Sequence, residues 1–149
     1  MATQKTRRLK HQYFIHASTK KVFKSITDPK LLVRWFADSA KIAPHKGGRY
    51  IMGWKNGPKH SGTILRFVPD KSITLSWEWE GISLQGTNLT LSVEPKGKGS
   101  LLKFEHSGFP IQDKWLDLYA GAEWGWTYFA MNLKSFLETG NDLRSKYDR

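Results

Sequence analysis

The sequence predicts an α+β fold: a curved antiparallel β-sheet wrapped around a long C-terminal α-helix, with two short helices after the first strand. Two patterns carry this. Between Gly47 and Gly108 apolar residues recur at every second position, the period of a half-buried strand. From Asp113 to Glu138 they recur at helical spacing instead. A single long helix must bury its apolar stripe, and the concave face of a twisted sheet is the one large apolar surface such a chain offers.

Each element has its own signal. Residues 9–16, LKHQYFIH, alternate loosely and read as a strand. Ser18 or Thr19 can cap a helix whose apolar stripe is Val22, Phe23 and Ile26. Asp28-Pro29 starts a second, short helix over 29–36 with Leu31, Leu32, Trp35 and Phe36, because the Asp oxygen accepts orphan N–H groups and Pro at the first position forfeits only an unpaired donor. Five strands follow: GGRYIMGW, GTILRFVPD, KSITLSWEWE, TNLTLSVEP and SLLKFEHSG. In the third, Ile73, Leu75, Trp77 and Trp79 face one side, and Thr74, Ser76, Glu78 and Glu80 face solvent. Leu89, Leu91 and Val93 repeat the pattern, as do Leu102, Phe104 and His106.

At about 100° per residue, Trp115, Leu118, Tyr119, Ala122, Trp126, Phe129, Ala130, Leu133, Phe136 and Leu137 share one stripe of the last helix. Gly140 is a fitting end to it. Trp124 and Tyr128 lie on the opposite side, beside Asp117 and Ser135. They read as a ring pair available to a second copy of the chain or to another protein. Gly121 and Gly125 lie on one flank inside the helix, where glycine costs about 1 kcal/mol against alanine. They predict close approach by a helix or loop from the N-terminal half.

The 149 residues suit one domain, 1–149, with a core over about 9–140. The absence of cysteine excludes disulfides, thiolate metal sites and Cys nucleophiles. The basic start MATQKTRRLK precedes no apolar signal region, and no apolar run is long enough to span a bilayer; a soluble, cytoplasmic protein is expected. The net charge of +11 is lopsided: residues 1–50 hold 12 Lys/Arg against Asp28 and Asp38, and residues 51–149 hold 12 against 11 acids. A field of this kind draws acidic partners, or it is simply a solubilising face.

Six segments stand out in this order: ASTKKVFKSITDPKLLVRWF (17–36), GGRY (47–50), SGTILRFVPDKSITLSW (61–77), HSGF (106–109), GW (125–126) and NLKSFLETG (132–140). With the order of the elements, they resemble the helix-grip SRPBCC (START-like) superfamily. More narrowly the chain is similar to bacterial domains related to the C-terminal domain of the activator of the heat-shock-protein-90 ATPase. The resemblance covers about residues 9–140. It implies a cavity between the long helix and the sheet, for which Tyr50, Met52, Trp54, Trp77, Trp79, Leu89, Leu91, Phe104, His106, Tyr119, Ala122, Trp126, Phe129 and Ala130 offer suitable lining. The same rings could equally fill that space. Tyr50, the indole N–H groups and His106 are the polar handles.

His106 reads either as a group acting on a ligand or as a strand-end residue that fixes a turn. His11, His16, His45 and His60 form no metal pattern, and no His pair at helical spacing or carboxylate cluster appears. There is no nucleophile elbow and no phosphate-cradling loop; PKGKGS (95–100) is a hairpin turn. No cofactor and no catalytic residue is assigned. The leading expectation is a module that binds an apolar or amphipathic small molecule. A protein-interaction domain of the co-chaperone kind, meeting an acidic partner through the basic first third, is the alternative, and a cyclase or hydrolase stands behind both. Nucleic-acid binding has no reading motif to support it.

Overall fold

The computed structural model describes residues 5–84 and 86–144. Strand β1 (Thr6–Ile15) leads into helices α1 (Thr19–Thr27) and α2 (Pro29–Trp35). Strands β2 (Ser39–Ile42), β3 (Arg49–Gly53), β4 (Lys59–Val68), β5 (Ser72–Ser76), β6 (Glu78–Trp79), β7 (Asn88–Lys96) and β8 (Gly99–Pro110) follow. A 3₁₀ turn (Asp113–Trp115) opens the last helix, α3 (Leu116–Thr139).

The strands form one antiparallel sheet in the order β1-β8-β7-β5-β4-β3-β2, with β6 paired to β4. Both helix starts follow their sequence signals. Ser18 Oγ accepts from the Lys21 N–H, and Asp28 Oδ1 accepts from the Lys30 N–H with Pro29 next to it. Gly140 ends α3 in the left-handed conformation, φ 78°, its N–H reaching Phe136 O.

Two elements differ from the sequence reading. The segment KSITLSWEWE is broken at Trp77, because β7 begins only at Asn88; past Ser76 the chain has β4 alone as its ladder partner, and the Trp77 N–H turns to Thr87 O. The edge strand β2 is too short to show a period of its own.

The concave face is apolar. Leu9, Ile15, Ile73, Leu89, Leu102 and Phe104 are buried there, and Val22, Phe23, Ile26, Leu32 and Trp35 close the core from α1 and α2. Helix α3 engages this core unevenly. None of its buried residues, Trp126, Ala130, Asn132 and Leu133, comes before the eleventh of its 24 positions. The expected stripe residues Leu118, Tyr119 and Ala122 are only half-buried, because the first half of the helix stands over open space.

The C-terminal half is locked in place. The Asn132 amide donates to Trp35 O at 2.6 Å and to Asp142 at 2.9 Å. The buried Arg144 guanidinium donates to Val33 O, Ala37 O and Asp142. Asn132 within α3 and Arg144 after it therefore satisfy the Trp35 and Val33 carbonyls at the end of α2, next to Phe36.

Candidate functional site

Strand register gathers aromatic side chains at one end of the sheet. His60 pairs with Trp79 across β4 and β6, Leu89 with His106 across β7 and β8, and Ser76 with Asn88 just before Trp77. Over this end lies the lifted half of α3. Between them is a cavity of about 420 Å³. Its lining comes from the sheet (His60, Trp77, Trp79, His106), from the β3–β4 connection (Trp54, Asn56, Gly57, Pro58), from Phe36, and from α3 (Asp117, Leu118, Gly121, Ala122, Gly125, Trp126, Phe129).

The rings brace one another. Tyr50, Trp77 and His60 form a stacked column, with centroids 5.8 and 4.8 Å apart. Trp79 lies flat on His106 at 5.6 Å and 7°. Phe36 stacks on Trp126 at 5.6 Å and meets Trp54 and Phe129 edge-on at 5.0 and 4.8 Å. Contacts of this kind add to area burial and hold the wall rigid. The Trp54 indole N–H is committed to Phe36 O at 2.9 Å.

Two histidines belong to the site, and their hydrogen bonds define their tautomers. An indole N–H can only donate, so the 3.0 Å contact from Trp126 Nε1 makes His106 Nδ1 an acceptor and puts the proton on Nε2. His106 is fully buried and its Nε2 has no partner. Burial, reinforced by nearby His60, pushes its pKa down to about 3. Its one lone pair is tied to Trp126, so neutral His106 has none left to act as a base. His60 Nδ1 must donate to the Glu78 carbonyl at 3.2 Å, which leaves Nε2 as the lone-pair nitrogen. Burial lowers its pKa as well, against the Glu78 hydrogen bond and the charge of Glu80.

Of the residues expected to line a cavity, Trp54, Trp77, Trp79, His106, Ala122, Trp126 and Phe129 meet around this one. Tyr50, Met52, Leu89, Leu91, Phe104 and Ala130 do not: all are buried in the packed core behind it. Tyr50 shows why. Its hydroxyl is spent on Ser76 O at 2.6 Å, its ring backs Trp77, and burial raises its pKa far above the ordinary phenol value. Gly62 permits this, since a Cβ there would strike Ser76 O and the Tyr50 ring. Tyr119 turns away to pack on Phe109 at 5.5 Å under the Arg7 guanidinium.

The helix glycines reverse their expected meaning. A Cβ built on Gly121 or Gly125 meets nothing within 4 Å, so no neighbouring element approaches there, and both positions border the cavity. Phe36 was readable only as core. His60 carried a faint signal, since it shares its parity with buried Gly62 and Ile64 on β4. Leu118 was legible only as part of the inward stripe of the last helix, and Asp117 and the Asn56–Pro58 connection carried no signal. Outside the site, Trp124 is 70% exposed and its ring stacks on Tyr128 at 5.5 Å. Among the described residues no group of three or more His, Asp or Glu could hold a metal ion, and no helix is long and apolar enough to cross a membrane.

Comparison with known proteins agrees with this architecture. Protein MLL2253 from Mesorhizobium loti superposes with a TM-score of 0.79 at 23% identity, over 91% of this chain and 99% of its own. The solution structure of the Aha1 dimer from Colwellia psychrerythraea gives 0.76 at 20% identity, over 91% and 98%. An AHSA1-like protein from Rhizobium etli gives 0.73 at 24% identity, over 91% and 84%. At these identities the likeness establishes the fold. No curated protein matches the chain. The family model for Activator of Hsp90 ATPase homolog 1-like protein matches residues 16–138, and the chain belongs to that family.

Proposed function

We propose that the protein binds an apolar or amphipathic small molecule in the cavity between the sheet and the N-terminal half of α3. The observation that carries this reading is the pair Gly121 and Gly125. Each weakens the helix interior by about 1 kcal/mol relative to alanine, and neither is required by packing, since a Cβ at either position has open space. A helix that keeps small residues facing an aromatic-walled void keeps that void open. A concave, mostly apolar, preformed site is the ordinary form of a small-molecule pocket.

Titration with the neutral fluorophore N-phenyl-1-naphthylamine tests it, read by its own emission and by quenching of tryptophan. Wild type is expected to bind with saturation. Gly125→Leu, which places an isobutyl group in the void, is expected to lose about tenfold or more in affinity while unfolding at the wild-type temperature or above. Equal affinity in the filled variant would remove the cavity as the site.

A second reading, self-association through the outer face of α3, is favoured by Trp124, which is 70% exposed and stacks on the half-buried Tyr128. The similar Colwellia protein is a dimer in solution. Sedimentation of wild type against Trp124→Ser/Tyr128→Ser decides this: a wild-type dimer that the double variant dissolves supports it, and a monomer at high concentration ends it.

A further inference from the structure

We propose that the cavity selects organic cations of the methylated-ammonium class; this rests on the reading of the cavity as a ligand site. The chain has 24 Lys and Arg, yet none of those among the described residues lines the cavity. Lys55 and Lys59 are next to lining residues in sequence, but both are exposed and outside the lining. The strand pleat explains Lys59, which alternates with inward-facing His60. Both histidines are held neutral by burial. Among the described residues, Asp117 at the start of α3 is then the one carboxyl side chain on the lining, and the Glu80 carboxylate also bears on His60.

The rest of the wall is π-surface: Phe36, Trp54, Trp77, Trp79, Trp126 and Phe129. The face of an aromatic ring is the negative end of its quadrupole and attracts cations, tryptophan most strongly. An anion would find no counter-charge here. A neutral apolar ligand would gain burial alone. A cation gains burial, the ring faces and Asp117 together. The N–H groups of His106 and Trp54 are covered or committed, so they offer a cation no opposing donor. A primary ammonium would have to give up hydration for three N–H donors, and only acceptors spread around the wall, Asp117, His60 Nε2 and the Asn56 amide oxygen, stand to replace water. Methylation removes those donors and spreads the charge over carbon, which suits an aromatic cage.

Asp117 has another role open to it, since a carboxylate in the first turn of a helix favours the helix dipole. That role would change stability but not distinguish a cation from its neutral isostere. The test is therefore displacement of N-phenyl-1-naphthylamine from the 149-residue chain by phenyltrimethylammonium and by tert-butylbenzene, which share a shape and differ in charge. Phenyltrimethylammonium is expected to displace the fluorophore at concentrations about tenfold lower, although tert-butylbenzene is the more hydrophobic. Asp117→Asn is expected to narrow that gap by about threefold while leaving tert-butylbenzene unchanged.

Equal or tighter binding of tert-butylbenzene overturns the selectivity and leaves the cavity reading standing. So does a fluorophore that binds but yields to neither compound. An unaltered gap in Asp117→Asn removes the carboxylate from the account and overturns the assignment of that end of the site. Failure of the fluorophore itself to bind overturns the cavity reading and this inference with it.

Discussion

His106 and Trp126 form the innermost polar contact of the site, and its geometry has a consequence for acid stability. The native state holds His106 neutral, because an imidazolium would be buried and would turn a second N–H toward the indole donor. The unfolded chain has an ordinary imidazole, with a pKa near 6.5. Above that value both states are neutral and stability is complete. As pH falls from about 6.5 toward 3, the unfolded state takes up a proton that the native state refuses, so stability falls with pH. His60 shifts in the same direction. At pH 5, about 1.5 pH units below the ordinary value, His106 alone accounts for a loss of about 2 kcal/mol. Between about pH 6.5 and about pH 5 the solution stays above the ordinary range of Asp and Glu, so carboxylate protonation contributes little there. His106→Asn, whose side-chain oxygen can still accept from Trp126, is expected to flatten the fall in urea midpoint between pH 7 and pH 5. An undiminished slope in that variant would mean that His106 titrates normally in the native protein.

At the scale of one element, α3 is two half-helices with different duties. Its C-terminal half packs through Ala130 and Leu133 and is clamped through Asn132; its N-terminal half roofs the cavity. Alanine at Gly121 or Gly125 is expected to raise stability by up to about 1 kcal/mol each, because propensity improves and the added methyl meets no neighbour. Differential scanning calorimetry measures this, and a lower melting temperature would show that something packs against that flank after all. The same helix marks the limit of sequence reading. Its length, its stripe and its Gly140 end were legible, because periodicity and caps are local. The meaning of Gly121 and Gly125 was not: a glycine in a helix signals that a side chain is unwanted, and only three-dimensional placement tells a tight contact from a void. Likewise Tyr50 and Trp77 both lie on inward-facing strand positions, but pleat alone could not tell that Trp77 fronts the cavity while Tyr50 stands behind it. The clamp by Arg144 on Val33 and Ala37 joins residues more than a hundred positions apart, and no local pattern announces it.

At the scale of the whole molecule, the cavity is walled by rings drawn from the end of α2, the β3–β4 connection, strands β4, β6 and β8, the β5–β6 break and α3. The chain carries +11, and among the described residues no lysine or arginine enters that wall. Its seven tryptophans fall into two sets. Trp54, Trp77, Trp79 and Trp126 line the cavity, whereas Trp35 is buried with its N–H on Ser25 O, Trp115 lies in the turn before α3, and Trp124 is on the outer face. This division makes the indole N–H resonances an internal map of where a ligand settles. The most direct measurement is a ¹⁵N–¹H correlation spectrum of the 149-residue chain titrated with N-phenyl-1-naphthylamine. The indole signals of Trp54, Trp77, Trp79 and Trp126 are expected to move together to saturation while those of Trp35, Trp115 and Trp124 stay in place. Movement confined to Trp124, or no saturable movement of the cavity set, would contradict the assignment of this cavity as the ligand site.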